Sequence, residues 1–323
     1  MIKLLIDSDP IVYRSGFAAE SVELDTVLET ASGELQQWYF KPGDGQTALQ
    51  QLNSVLANGP ATLVSKERIV KAEPVEHALQ IVGSTIDSIK AAVKEKFDSK
   101  PDVRLVLSGP GNYRYKIATI KPYKGNRDPS HIPVHYQAIR NYLTDIWRAR
   151  VIHGREADDE VSIEGWKLWR ENQGKQTKAS SAPQYVVASI DKDLDQIPGW
   201  HYDYMKKVFY FVDEESARKQ LWTQILAGDS GDNIPGCWRI GYEKAAEIIQ
   251  REIDRGAGDL GLWLEVQNQY TASKEKKGCP YPDKFPPDVA TETAQLVYMQ
   301  QRPGELWQPP GTEFGTVTGD VDD

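Results

Sequence analysis

Short apolar runs that end in carboxylates, each separated from the next by a stretch of helical periodicity, constrain this chain more than any other feature. LLI at Leu4–Ile6, RLVL at Arg104–Leu107, RVI at Arg150–Ile152 and YVVASI at Tyr185–Ile190 read as buried strands. Between them, Val75 to Phe97 places apolar residues at steps of three or four, and Val134 to Trp147 and Asp158 to Arg170 do the same. Strand then helix, repeated, predicts an α/β fold with a mostly parallel central sheet flanked by helices. Ser21 to Pro74 breaks the alternation. Its Gly and Gln content, a turn signal at Trp38 to Gly45 and a strand at Arg68 to Ala72 predict an inserted hairpin or lobe. From about Gln220 the pattern turns helical around a glycine-punctuated stretch, the start of a second subdomain.

Ligands of such sheets collect at the carboxyl ends of the strands, and that is where the acids fall. Asp7 follows LLI directly. Glu156, Asp158 and Asp159 follow RVIHGR, Asp191 and Asp193 follow YVVASI, and Asp229 and Asp232 follow a predicted helix. If the sheet is parallel these groups converge, and like charges at about 4 Å repel by around 4 kcal/mol at an effective dielectric near 20. Cations must offset that. Hard oxygen donors select Mg2+ or Mn2+ over zinc, and two such ions serve phosphodiester hydrolysis. The expectation is that Asp191, Asp193, Asp229 and Asp232 hold one ion, and Asp7, Glu156, Asp158 and Asp159 the other. Asp9 and Asp195 read as capping or solvated acids.

The chain of 323 residues has net charge −9, which argues against a polyanionic partner until the charge is read locally. Between Pro101 and Arg127 six basic residues face one acid, Asp102. There Tyr113, Tyr115 and Tyr123 interleave with Arg114, Lys116, Lys121, Lys124 and Arg127, a mixture that stacks unpaired bases and grips phosphates. Farther on, Gly236 and Gly241 flank a turn before an apolar-periodic helix. With Arg239 and Lys244 beside it, that helix start offers amides to a duplex backbone.

In this order, LLIDSD, YKGNR, GREADD, SIDKDLDQ and GDSGDNIPG…IG…KAA resemble the flap endonuclease and 5′ nuclease family, most closely the 5′→3′ exonucleases of tailed bacteriophages. The resemblance covers Met1 to about Arg251. It implies a PIN-like catalytic domain over 1–215, with an insertion at about 21–97. A helix-three-turn-helix DNA-binding subdomain over 216–255 and a C-terminal region over 256–323 with a flexible tail would follow. It further implies two divalent ions, a potassium ion at the helix-three-turn-helix, Lys124 and Arg127 as gateway cations and Tyr123 as an aromatic beside them. The implied partner is DNA with a 5′ end or 5′ flap, with RNA in RNA–DNA hybrids as an extension. One departure is local: the family's further aspartate after its second strand is replaced here by Ser108, Gly109 and Pro110.

Two other readings compete. Asp7 and Asp9 imitate the acid pair of haloacid-dehalogenase phosphatases, and a DNA-binding homologue lacking turnover would keep the same motifs. Two cysteines, Cys237 and Cys279, exclude a disulfide scaffold. Pro133 between His131 and His135 argues against a zinc pair on one helix face. No apolar run approaches the roughly 20 residues of a membrane helix. The expectation is a monomer in the cytoplasm, that of an infected bacterium if phage-encoded, without membrane contact.

Overall fold

The computed structural model describes residues 1–43, 45–128, 131–180 and 182–311, so the expected tail lies outside the described residues apart from its first residue. In chain order the elements begin β1 (Lys3–Asp7), α1 (Asp9–Ala18), β2 (Glu20–Glu29), β3 (Leu35–Phe40), α2 (Ala48–Asn58), β4 (Thr62–Ala72), α3 (Val75–Phe97) and β5 (Asp102–Ser108). There follow α4 (Arg114–Ile117), α5 (Tyr136–Asp145), β6 (Arg150–Ile152), α6 (Ala157–Glu171), β7 (Tyr185–Ala188), a 3-10 helix (Lys192–Gln196), β8 (Gly199–Asp203) and β9 (Val208–Val212). The chain then runs through α7 (Glu214–Ala227), β10 (Gly228–Asp229), β11 (Ile234–Pro235), α8 (Tyr242–Asp254), α9 (Asp259–Lys274) and α10 (Pro286–Val297).

The described residues fall into two compact units, one drawn from 1–9, 87–128 and 147–311, the other from 10–86 and 131–146. The first holds a six-stranded sheet in the order β6-β5-β1-β7-β8-β9. Its pairings are parallel except β8 with β9, so the expected mostly parallel sheet is a mixed one closed by an antiparallel edge. β1 has β5 on one side and β7 on the other, and the order of strands reverses about it. That is the topological switch point where such sheets bind ligands. Tyr185 to Ala188 are fully buried, and α6 covers this region through Ala157, Val161, Leu168 and Trp169.

α7 to α10 share a second core around Trp222, Trp263, Val266, Tyr270 and Trp307. α9 and α10, within the expected C-terminal region, thus pack in one core with α7 and α8 of the expected 216–255 subdomain. Gly236 is required by close approach: a Cβ there would lie 2.1 Å from the Ala227 carbonyl carbon.

In the other unit β3-β2-β4 form an antiparallel sheet, with Leu24, Leu28, Phe40, Ala48 and Leu52 buried between it and α2. Trp38 to Phe40, expected to open a turn, instead finish β3. Their alternation pairs them with Leu24 to Thr26 of β2. No helix among the described residues is long and apolar enough to cross a membrane.

Candidate functional site

Asp7 closes β1 and is 7% exposed; its Oδ1 accepts the Asp9 N–H at 3.1 Å. Burial, then the charges of Asp9, Asp191 and Glu156, drive its carboxyl well above the usual carboxylate range, against the Asp9 amide. Asp9, set aside on sequence grounds, accepts the Ser108 N–H at 3.1 Å. The Ser108 Oγ accepts the Ala157 N–H at 2.8 Å. Ser108 thus ties the end of β5 and the start of α6 to Asp9.

Glu156 is the extended N-cap of α6, with Asp158 and Asp159 in its first turn, where carboxylates suit the helix dipole. Glu156 accepts from the Tyr123 hydroxyl at 2.6 Å and from Lys124. Burial raises the Glu156 carboxyl, but the Lys124 and Arg114 charges outweigh it and hold it below its ordinary value. Asp158 goes the other way: burial, then Glu156 and Asp159, push it well up. Asp159 is fully buried and grips Arg114 through two bonds of 2.6 and 2.9 Å, while the Gln300 N–H reaches it at 3.2 Å.

Asp191 follows β7, and its Oδ1 caps the Asp193 N–H at 2.9 Å. Burial, with Asp229 and Asp232, raises it. The Asp193 carboxyl, receiving a 2.6 Å bond from the Gln224 amide, is pushed up to about 8 by burial and by the charges of Asp191, Asp229 and Asp232. Asp229 turns its own loop, accepting the Gly231 N–H at 2.7 Å. Asp232 accepts from Tyr123 at 2.7 Å, lies 3.5 Å from the Lys124 ammonium and pairs with Arg127. Tyr123 has one hydroxyl hydrogen and two carboxylates in reach, so it donates to Glu156 or to Asp232 at any one time and stands between them. Lys124 links the two with its charge. Burial lowers its basicity, but Glu156 and Asp232 raise it further.

The gateway loop is stitched to the loop of Asp229 and Asp232 through its backbone. The Lys124 N–H donates to the Asp232 carbonyl at 2.8 Å, the Asn126 amide to the Ser230 carbonyl and the Asn233 amide to that of Pro122, each at 2.8 Å. Both asparagines stand inside strings singled out in the sequence, YKGNR and GDNIPG, but nothing there marks them as cross-loop ties. Gln224 gives no sequence signal at all.

The acids expected at the sheet edge therefore feel one another's charge. Among the described residues no three of them form a group that could hold a metal ion as placed. Glu156 and Asp232 commit oxygens to Tyr123, Lys124 and Arg127, and Asp159 commits both of its own to Arg114.

Arg114, expected on DNA, is 1% exposed and also donates to the Leu296 and Tyr298 carbonyls at 2.8 and 2.9 Å. It is an internal tie, because Asp159 buried without it would be an uncompensated charge. Tyr123, 4% exposed, has no face free for a base, whereas Tyr115 is 61% exposed. Lys116, Lys121, Arg239 and Lys244 are exposed, and Arg239 donates to the Lys277 carbonyl at 3.0 Å. Gly241 is the extended N-cap of α8 with no side-chain cap, and Gly236 is a packing glycine.

Fold and site thus define an α/β protein with an acidic crevice at its sheet's switch point, bridged by a lysine and a tyrosine. No family model matches the chain. A 5′-3′ exonuclease of Buchnera aphidicola subsp. Schizaphis graminum is 28% identical over 178 residues, covering 51% of this chain and 58% of that protein. The chain thus matches little more than half the length of that relative. Flap endonuclease Xni of Shewanella woodyi is 25% identical over 224 residues, covering 65% of this chain and 82% of that protein. Among solved structures, T5 5′-exonuclease with bound zinc ions has a TM-score of 0.46 at 18% identity, over 67% of this chain and 80% of that one. T5 D15 protein co-crystallised with metal ions gives 0.46 at 17%, over 68% and 82%. By its sequence the chain is similar to a 5′-3′ exonuclease and to a flap endonuclease.

Proposed function

We propose that this chain is a metal-dependent 5′ nuclease that hydrolyses DNA phosphodiesters at a 5′ end or near a 5′ flap, with RNA of RNA–DNA hybrids as a further substrate. The observation that carries the reading is the crevice in which Asp7, Asp158, Asp191 and Asp193 are all held above the ordinary carboxylate range, largely by burial and by one another. Such crowding favours a bound cation. The donors are oxygen throughout, which fits Mg2+ or Mn2+ and not zinc. When bound, two such ions activate water and neutralise charge on the phosphate and leaving oxygen. Asp191, Asp193, Asp229 and Asp232 would hold one, and Asp7, Glu156 and Asp158 the other; Asp159 supports the second set through Arg114.

The chain's own groups do the rest. Lys124 and Arg127, now on Glu156 and Asp232, carry the charge that meets the scissile phosphate, a preorganised electrostatic contribution. Tyr123 stands between the two carboxylates. Exposed Tyr115 offers a ring to an unpaired base, and Lys116 and Lys121 contact the strand's phosphates. The uncapped start of α8 at Gly241, with Lys244 and Arg239, grips the duplex backbone without reading sequence.

The relatives favour this over the phosphatase reading. A DNA-binding homologue without turnover draws support from Glu156, Asp159 and Asp232 being already neutralised by the protein's own cations. Labelled duplex with and without a 5′ flap, in Mg2+, comparing the wild type with Asp191→Ala, separates them. Nucleotide release lost in the variant supports the nuclease. Undiminished cleavage by the variant removes the site, and tight binding with no wild-type turnover favours the homologue.

A further inference from the structure

β6 spans three residues where its neighbour β5 spans seven, and the two pair only over Val106 to Ser108. Beside Asp102 to Leu105, where β6 lays no strand, opens a cavity of about 730 Å³. Seven lysine and arginine side chains line it against three carboxylates, Asp102, Glu160 and Glu164, in a chain of net charge −9. It adjoins the acidic crevice at one end, where Val106 pairs with Asp7 and Glu160 follows Asp159, and runs away from it along β1 and α6. Lys3 of the cavity and Asp7 of the crevice sit at opposite ends of β1, four steps and so roughly 13 Å apart. The cavity's Lys167 and Arg170 belong to the far end of α6 from Glu156.

Some of this charge is matched. Arg104 pairs with Asp102 at 2.7 Å, and Arg150 with Glu160. Arg148 has no ion pair among the described residues. It is exposed and holds a left-handed backbone, φ 58°, a conformation uncommon outside glycine, asparagine and aspartate. Next to it, Trp147 lines the same cavity. Its indole N–H is buried without a partner, and the Lys90 ammonium lies 5.2 Å from its ring centre.

Unpaired guanidinium, flat aromatic surface and a volume within the usual range of small-molecule sites suit one chemistry. We propose that this cavity is a second binding site, for a nucleoside 5′-phosphate. Arg148 and Lys3 hold the phosphate, and Trp147 meets the base. A free mononucleotide and the phosphorylated end of a single strand share that chemistry. The inference stands whether or not the crevice is a nuclease site.

The test is titration calorimetry of the full chain in EDTA with adenosine 5′-monophosphate, inorganic phosphate and a 5′-phosphorylated tetranucleotide. One equivalent of the monophosphate should bind, more weakly as salt rises. Arg148→Asn, which tolerates the left-handed backbone, should weaken it about tenfold or more. Arg104→Gln should weaken it less, and Lys124→Ala in the crevice should leave it unchanged. Both cavity variants are to be matched to the wild type in thermal unfolding. Tighter binding of the tetranucleotide identifies the strand end as the source, and tighter binding of the monophosphate identifies the free nucleotide. No saturable binding of either, inorganic phosphate binding as tightly as the monophosphate, or loss of binding in Lys124→Ala but not Arg148→Asn would each overturn the proposal.

Discussion

Replacing Arg114 by leucine tests the reading of that residue as an internal tie rather than a DNA contact. The substitution strips Asp159 of two short bonds and leaves a fully buried carboxylate without its counter-charge. Removing one partner of a buried pair costs about 3–5 kcal/mol. The Leu296 and Tyr298 carbonyls also lose their donor, at about 1–3 kcal/mol for a buried group left unsatisfied, so the upper end applies. At roughly 2–4 °C per kcal/mol for chains of 150–250 residues, the melting temperature should fall by roughly 10–20 °C. The double variant Arg114→Leu, Asp159→Leu removes both charges and should recover most of the loss, as apolar replacements of buried pairs do. Calorimetry on the wild type, both single variants and the double variant gives the coupling. In parallel, DNA affinity measured against salt below the melting temperature should keep its slope, because no phosphate contact is lost. A loss below about 1 kcal/mol in Arg114→Leu, no recovery in the double variant, or a shallower salt slope would refute the reasoning.

Two further outcomes follow from burial elsewhere. His201, 2% exposed in β8, donates from Nε2 to the Ile197 carbonyl at 2.8 Å, and burial pulls its pKa down to about 4. Its folded pKa lies below the unfolded 6.5, so its contribution is complete above pH 6.5 and is lost as pH falls toward 4, by about 3 kcal/mol in all. Asp193, raised to about 8, slopes the opposite way, so the quantity to measure is the difference between wild type and His201→Gln in urea unfolding from pH 7.5 to 4.5. That difference should shrink as pH falls, and a constant difference contradicts the assignment. Gly236→Ala would press a methyl into the Ala227 backbone, which has no flexible end to give way, and should destabilise by about 3 kcal/mol or more; a melting temperature within 2 °C of the wild type would show that the close approach is not required.

The parts of the fold legible in the sequence are those where burial writes a clean pattern. β1, β5, β6 and β7 carry apolar runs, and α3 was readable to its ends because Val82, Ile86, Ile89 and Val93 form an unbroken buried stripe. The helix expected over Val134 to Trp147 is shorter, Tyr136–Asp145, since Pro133 and the left-handed Arg148 bound it. β8 was missed because GWHYD is buried on every residue and shows no alternation. β4 was seen only at its end because most of its residues are exposed and its lysines and glutamates read as loop. At the site, sequence located the acids because each follows an element's end. It did not locate their partners. Interleaved Tyr, Arg and Lys look alike in one dimension, and only the tertiary fold separates buried Arg114 and Tyr123 from exposed Lys116 and Lys121.

The cross-stitching of the gateway loop to the aspartate loop has a mechanical consequence. Asn126, Asn233 and the Lys124 amide fasten the segment that carries the cation to the segment that carries the carboxylates. A displacement of Lys124 therefore pulls, through these bonds, on the loop of Asp229 and Asp232. Evolution or engineering therefore cannot retune the positive side of this crevice without moving the negative side, and variation in one loop must be answered in the other.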